Sequence, residues 1–410
     1  MIEVPPPPDA EPTLLVTLTG ADRPGVTAAL FAAVAERDVV VLDVEQVVVR
    51  SHLTLAVLLT AGGDPSGLQR ALTLAGEDLG MKVKCRNGFG DNASRRNGRL
   101  HVTVLGAPLR PAAMQSIAEA IAERGGNIDR IRRISRWPVT TVEIDVSGAD
   151  VAQVRRVLSV VAARQGVDVA VSPAGLARRG RRLVVMDVDS TLIQDEVIEL
   201  IAAHAGRAAE VAAVTERAMR GELDFAQSLH ERVAQLAGLP TTVLDQVRSQ
   251  VRLTPGARTL VRTLGRLGFT VGLVSGGFIE IVRPLADLLG IEHAEANRLE
   301  VVDGRLSGRV VGAVVDRAAK ADALRRFAAA EGIAMSRTIA IGDGANDLDM
   351  LDAAGLGIAF NAKPVVRAQA DASVTVPYLD AVLYLIGIPR EEVEDADAAD
   401  GIDVQIVTPG

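Results

Sequence analysis

The sequence predicts an α/β protein in which a parallel sheet with a helical insertion is preceded by two ferredoxin-like α+β units. Three observations point to it. An order of strand, helix, strand, strand, helix, strand occurs twice between Thr13 and about Pro173. Beyond the basic stretch Arg178, Arg179, Arg181 and Arg182, the strands become apolar throughout and alternate with helices, as in a sheet buried on both faces. The length of 410 residues exceeds one ordinary core and suits two to three domains.

The first repeat opens with a strand at Leu14 to Thr19 and the turn Gly20-Ala21-Asp22-Arg23-Pro24-Gly25. Thr27 to Glu36 then carries apolar residues at helical spacing. Val39 to Arg50 and Leu53 to Thr60 read as strands, Pro65 to Leu79 as a helix, and Met81 to Cys85 as a closing strand. The same order returns in Leu100 to Leu105, Pro111 to Glu123, Asn127 to Ile134, Thr140 to Val146, Val151 to Ala163 and Val167 to Val171. Gly20 aligns with Gly106, so an internal duplication is the plain reading; one larger α+β domain is the alternative.

In the second half the apolar strands are Leu183 to Met186, Thr270 to Val274 and Thr338 to Ile341. A mostly helical stretch, Glu196 to about Leu253, separates the first two. It is placed to cover the carboxyl ends of the strands, where open parallel sheets bind their ligands. The expected organisation is a leader at 1–12, α+β units at 13–88 and 99–175, an α/β domain at 181–390 with its helical insertion at about 196–253, and an acidic tail at 391–410.

Hydrophobic residues make up 48% and charged residues 23%, the balance of a soluble globular chain. The formal charge of −8 argues against a nucleic-acid partner. Most of it sits in Glu391, Glu392, Glu394, Asp395, Asp397 and Asp400, which read as a solvated tail. The single cysteine, Cys85, gives no sign of an oxidising compartment. Met1 to Pro12 lacks the basic and apolar blocks of a signal peptide. No run of about 18 apolar residues occurs, since Asp380 interrupts Val376 to Ile388. The expectation is a cytoplasmic protein with neither a nucleic-acid nor a membrane partner.

Each apolar strand runs into polar residues. The first leads to Asp187-Val188-Asp189-Ser190-Thr191. Two carboxylates at 4 Å repel by about 4 kcal/mol at an effective dielectric near 20. Such a pair calls for a cation between the two or a proton on one, although an Asx turn capping a helix produces the same letters. The third strand leads to Gly342-Asp343-Gly344-Ala345-Asn346-Asp347, which adds two acids at the same sheet edge. Oxygen-rich groups of this kind suit Mg²⁺. The middle strand ends in Ser275-Gly276-Gly277, whose N–H groups can cradle phosphate, and Lys320 offers a point charge among alanines.

These four segments, with Phe278 after the glycines, resemble the motifs of the haloacid dehalogenase superfamily of phosphatases over roughly Leu183 to Ile388. The resemblance implies a Rossmann-like parallel sheet with a helical cap. It implies Asp187 as a nucleophile that becomes an aspartyl-phosphate, and Asp189 as acid toward the leaving oxygen and then base toward water. Ser275, Gly276 and Lys320 are implied as phosphate ligands. Mg²⁺ is the implied cofactor, held by Asp187, the main chain at Asp189, and Asp343, with Asp347 in support.

The insertion narrows the substrate. Met219-Arg220-Gly221-Glu222-Leu223-Asp224-Phe225, Ser228-Leu229 and Arg232-Val233 resemble the cap of phosphoserine phosphatases, as does Glu196 after the nucleophile. On a helix, Phe225, Leu229, Arg232 and Leu236 share a face; an arginine snorkelling at a core edge would look the same. The resemblance implies instead that Arg232 grips the substrate carboxylate, Glu196 pairs with its ammonium, and Asn346 adds a polar contact. The implied activity is hydrolysis of O-phosphoserine, the last step of serine synthesis. The rivals are a phosphatase or phosphotransferase for another small phosphomonoester, and a non-catalytic amino-acid sensor.

The N-terminal repeats resemble ACT domains, which bind amino acids, through the turn from Gly20 to Gly25. This implies Gly20 and Asp22 as a regulatory site for free serine, and pairing of the units in a homodimer. The second copy, Gly106-Ala107-Pro108-Leu109-Arg110-Pro111, lacks the acid.

Overall fold

A computed structural model describes residues 11–90, 98–136, 138–175, 178, 180–219 and 222–402. The proline-rich start, Arg179, Arg220-Gly221 of the cap motif and residues 403–410 of the acidic tail lie outside the described residues. The chain divides into two compact units, one up to Arg95 and one from Arg96 onward.

The first unit runs β1 (Pro12–Ala21), α1 (Val26–Ala32), β2 (Val41–Val49), β3 (His52–Thr60), α2 (Pro65–Asp78) and β4 (Lys82–Phe89). Its antiparallel sheet has the order β2-β3-β1-β4. Period-two alternation sends Leu14, Val16 and Leu18 of β1 and Leu53, Leu55, Val57 and Leu59 of β3 into one core with Leu30, Leu68 and Leu72 of the helices. At the start of α2, the Asp64 carboxylate accepts the Gly67 N–H at 2.9 Å and Pro65 takes the first helical position. Helix α1 is shorter than the spacing to Glu36 predicts. Beyond Ala32 the chain tightens into i→i−3 bonds, such as Val34 N–H to Phe31 O and Arg37 N–H to Val34 O.

The second unit begins with the same element order: β5 (Leu100–Gly106), α3 (Pro111–Ala122), β6 (Asn127–Ser135), β7 (Thr140–Ser147), α4 (Val151–Gln165) and β8 (Asp168–Pro173). Its sheet order, β6-β7-β5-β8, repeats that of the first.

After β9 (Leu183–Met186) come four cap helices, α5 (Val197–His204), α6 (Ala208–Met219), α7 (Phe225–Ala234) and α8 (Thr242–Gln250). The chain continues through α9 (Ala257–Arg266), β10 (Thr270–Phe278), α10 (Ile279–Leu289), β11 (His293–Val302), β12 (Arg305–Val311), α11 (Arg317–Ala330), β13 (Thr338–Gly342) and α12 (Leu348–Ala353). It closes with β14 (Leu356–Phe360), α13 (Pro364–Arg367), β15 (Ala372–Val374), α14 (Ala381–Leu385) and α15 (Arg390–Ala399).

These strands form one sheet of order β12-β11-β10-β9-β13-β14-β15. Central β9 shows why its four residues are all apolar: Val184 and Met186 enter the core on one face, Leu183 and Val185 the core on the other. Parallel β10 and β13 flank it, so the three strands that end in polar motifs are adjacent and their carboxyl ends converge.

Two features depart from the sequence reading. The β11–β12 pair is an antiparallel hairpin at the sheet edge, unforeseen because His293-Ala294-Glu295-Ala296-Asn297-Arg298 is not a continuous apolar run. The hairpin meets the cap: a Cβ at Gly308 would lie 2.9 Å from Ala237 Cβ and 3.3 Å from Ala234 Cα, so only glycine allows this approach. The acidic run is only in part a solvated tail. Glu391, Glu392, Asp395 and Asp400 are exposed, but Arg390–Ala399 is a helix with Val393 buried and Asp397 only 4% exposed. Arg262 grips Asp397 with two bonds of 3.0 and 2.5 Å, and Arg266 adds a third at 2.6 Å. Those basic partners lie in α9, more than 100 residues earlier, which a local charge count does not register.

The second ferredoxin-like region is bonded to this sheet within the same compact unit. Asp168, 1% exposed, accepts the Ser373 hydroxyl at 2.7 Å and the Thr375 N–H at 2.8 Å. Asp371 accepts Arg155 at 2.7 Å and the Gly357 N–H at 3.0 Å. Among the described residues no helix is long and apolar enough to cross a membrane.

Candidate active site

Strand β9 stops at Met186, and the next residue, Asp187, keeps its main-chain link to the sheet through its N–H to Ile341 O at 2.9 Å. Its carboxylate is nearly buried, at 4% exposure. Oδ1 accepts the Val188 N–H at 2.7 Å and Lys320 Nζ at 2.9 Å, which fixes the rotation of the group. Burial first, and then the charge of Asp347, holds this carboxyl well above the usual range, with Lys320 acting in the opposite sense.

The turn after Asp187 places Ser190 at φ 57°, an unusual conformation for a serine that costs on the order of 1–3 kcal/mol. The turn aims Asp189 away from the acid cluster. Its Oδ1 accepts the Val197 N–H at 2.9 Å and its Oδ2 the Ser275 hydroxyl at 3.1 Å. Burial raises the Asp189 carboxyl, opposed by those hydrogen bonds. A Cβ at Gly277 would approach Asp189 Oδ2 to 2.7 Å, so the glycine near the end of β10 admits this carboxylate. Ser275 Oγ also accepts the Gly277 N–H at 2.8 Å.

Lys320, on the second turn of α11, is fully buried between Asp187 and Asp347, the latter at 2.6 Å. Burial opposes its charge, yet the two carboxylates hold its pKa above the ordinary lysine value. Helix α11 is set by its N-cap, Asp316, which accepts the Ala319 N–H at 2.9 Å. Asp347, also fully buried, accepts the Gly344 N–H at 3.0 Å, closing the loop after β13. Asp343 accepts the Thr191 hydroxyl at 3.2 Å, and burial followed by Asp347 pushes its carboxyl up to about 6.

Carboxylate oxygens of Asp187, Asp343 and Asp347 lie within 4.8 Å of one another. Lys320 supplies one positive charge against these three acids, and the raised carboxyls of Asp187 and Asp343 report the shortfall. An all-oxygen set with excess negative charge fits a hard divalent cation. The Asp189 carboxylate is not in this group. The grouping His101, Glu143 and Asp145 differs, because Arg132 and Arg178 already hold Glu143.

Above the acids lies a cavity of about 710 Å³ between sheet and cap, lined by Asp187, Asp189, Gly276, Asp343 and Asn346 from the sheet side. The cap side contributes Glu196, Phe225 and Arg232. Glu196, at the start of α5, accepts the Ser190 hydroxyl at 2.8 Å; burial and then Asp189 push its carboxyl up to about 7. Helix α7 is opened by a capping box in which Asp224 and Gln227 exchange bonds of 2.8 and 3.0 Å. It buries Leu229 and Val233 and turns Arg232 toward the cavity. Burial lowers the Arg232 pKa, and its contact is Nε to Ser228 O at 3.3 Å. Among the described residues its guanidinium forms no ion pair.

Of the predicted residues, Asp187, Asp189, Glu196, Arg232, Gly276, Asp343 and Asn346 line one cavity, while Ser275 and Lys320 are fully buried and bonded to Asp189 and Asp187. Gly20 and Asp22 belong to the other compact unit, at the end of β1 and the turn after it. Sequence reasoning missed Thr191 as the partner of Asp343, and Thr254, whose hydroxyl holds Thr191 O at 2.7 Å. A lone threonine carries no local signal for such a role.

Known proteins give the same picture. Residues 184–352 match the haloacid dehalogenase-like hydrolase family, and residues 12–86 and 100–172 each match an ACT domain family. The chain is 60% identical to a phosphoserine phosphatase of Streptomyces coelicolor, over 94% of this chain and 95% of that protein. It is 52% identical to one of Mycobacterium tuberculosis, over 95% and 97% respectively. A crystal structure of a probable phosphoserine phosphatase from Vibrio cholerae superposes with a TM-score of 0.57 at 35% identity, covering 74% of this chain and 90% of that one. The chain belongs to the phosphoserine phosphatase family of haloacid dehalogenase-like hydrolases.

Proposed function

We propose that the chain hydrolyses O-phosphoserine to serine and phosphate through a phosphorylated Asp187. The observation that carries this reading is a cavity that joins the buried Asp187 carboxylate to Arg232, which has no ion-pair partner among the described residues, and to the Glu196 carboxylate. Phosphoserine offers a phosphate, a carboxylate and an ammonium, one for each of these three places.

In the first displacement a carboxylate oxygen of Asp187 forms a bond to phosphorus while the bond to the serine oxygen breaks. Asp189, whose carboxyl burial raises, passes a proton to that oxygen. Water then attacks the phosphorus, Asp189 takes its proton, and the bond to Asp187 breaks. Ser275, the Gly276 main chain and Lys320 neutralise and orient the phosphoryl oxygens. Asn346 adds a polar contact from the cavity wall. Asp187, the main chain at Asp189, and Asp343, with Asp347 in support, would hold Mg²⁺, which would supply positive charge against the phosphoryl oxygens. The test is phosphate release from a panel of small phosphomonoesters, with Mg²⁺ and with a chelator. Phosphoserine is expected to lead the panel and chelation to stop turnover; equal rates across the panel would refute the substrate assignment.

The reading extends to a cytoplasmic homodimer inhibited by free serine at Gly20 and Asp22 of the first ACT unit. Half-exposed valines along edge strand β2 (Val44, Val47, Val48 and Val49) support pairing between copies. Serine is also the product, so inhibition is measured at saturating phosphoserine, where active-site competition vanishes. A chain starting at Arg96, between the compact units, and full-length Asp22→Ala are both expected to lose serine inhibition. If both stay as sensitive as the intact protein, the regulatory site lies elsewhere.

A further inference from the structure

Asn297 lies on β11, outside every motif that the mechanism uses, yet its side chain is 1% exposed and bonded at both amide atoms. Its Nδ2 donates to Gly276 O at 2.8 Å, and its Oδ1 accepts the Val315 N–H at 2.8 Å. One partner is a carbonyl and the other an N–H, so only one orientation of the amide satisfies both.

The two partners belong to different parts of the site. Gly276 O belongs to the peptide linking Gly276 to Gly277. In a planar trans peptide the N–H points opposite to the C=O. Holding Gly276 O therefore aims the Gly277 N–H, which donates to Ser275 Oγ at 2.8 Å. That hydroxyl in turn donates to Asp189 Oδ2 at 3.1 Å. On the other side, Val315 directly precedes Asp316, the N-cap of the helix that carries Lys320. The register between β10 and β11 shifts between Ser275 and Phe278, so strand pairing does not hold this turn and a side chain must.

We infer that Asn297 is a positioning residue for phosphoryl transfer: it fixes the plane of the Gly276–Gly277 peptide, and through it the Ser275 hydroxyl, relative to the helix bearing Lys320. This rests on the phosphatase reading above. Asn297 touches no reacting atom. It acts through Ser275 on the proton donor Asp189, with the Val315 N–H as the anchor of its amide. Leaving the half-buried Gly276 carbonyl and the buried Val315 N–H unpaired would let the glycine peptide rotate, and glycines offer little resistance to that.

The test is a double-mutant cycle on the full chain with phosphoserine and Mg²⁺. Asn297→Leu keeps the side-chain volume and removes both hydrogen bonds. It is expected to lower kcat about 10- to 100-fold, the usual effect of losing an outer partner of a catalytic group, with KM changed less than about threefold. In a Ser275→Ala background the same change is expected to cost less than about threefold, because the hydroxyl it positions is gone. A purely structural role would lower the melting temperature and multiply in full with Ser275→Ala. Full multiplication, or wild-type kcat in folded Asn297→Leu, overturns the inference. Should Asn297→Leu not fold, Asn297→Ser, too short to span both partners, is judged by the same two criteria. Wild-type protein that releases no phosphate from phosphoserine would instead fail the phosphatase reading.

Discussion

Asp187→Asn is expected to lower kcat for phosphoserine by at least about 10⁴-fold, the scale of losing a covalent nucleophile. The amide is nearly isosteric and can still accept the Val188 N–H and Lys320 through its oxygen, so the site keeps its shape. Stability separates loss of chemistry from loss of fold. In the folded protein Asp187 has a raised pKa, so the stability it contributes is full below the unfolded carboxyl value and is lost as pH rises from there through the raised one. An amide removes that loss. Without metal at neutral pH, the melting temperature of Asp187→Asn should equal or exceed that of the wild type. A variant that melts normally and turns over near the wild-type rate would exclude Asp187 as nucleophile.

Arg232→Ala should discriminate between substrates. The guanidinium faces the cavity half-buried and, among the described residues, without an ion-pair partner, and a bound carboxylate would meet it away from bulk water. Losing such a charge-assisted contact is expected to cost roughly 2–5 kcal/mol in kcat/KM for phosphoserine. A phosphate ester that lacks a carboxylate should lose far less. Equal losses for both esters would show that Arg232 only supports the packing of α7 through its stem and its bond to Ser228.

Much of this site was legible in the sequence because the parallel sheet writes plainly. Leu183 to Met186 is apolar at every position because both faces are covered, so the change to Asp187 marks the end of the strand and the start of the chemistry. The ferredoxin-like repeats were legible for the complementary reason, a strict alternation with one buried face. What stayed hidden depends on partners distant in sequence. Asp397 looked like part of a solvated run because Arg262 and Arg266 stand more than 100 residues before it. Asn297 and Thr254 have no signature of their own; each is defined by a main-chain group that the fold brings to it. Hairpin β11–β12 mixes polar and apolar residues because one of its faces meets the cap.

Asp187 as a transient carrier of the phosphoryl group is the central claim, and it can be read directly. Full-length protein turning over phosphoserine labelled in its phosphate would be quenched in acid, which preserves acyl phosphates, and its peptides mapped. The account predicts label on the peptide containing Asp187, and none in Asp187→Asn. Steady release of labelled phosphate, with no label on any peptide at any quench time, would contradict it.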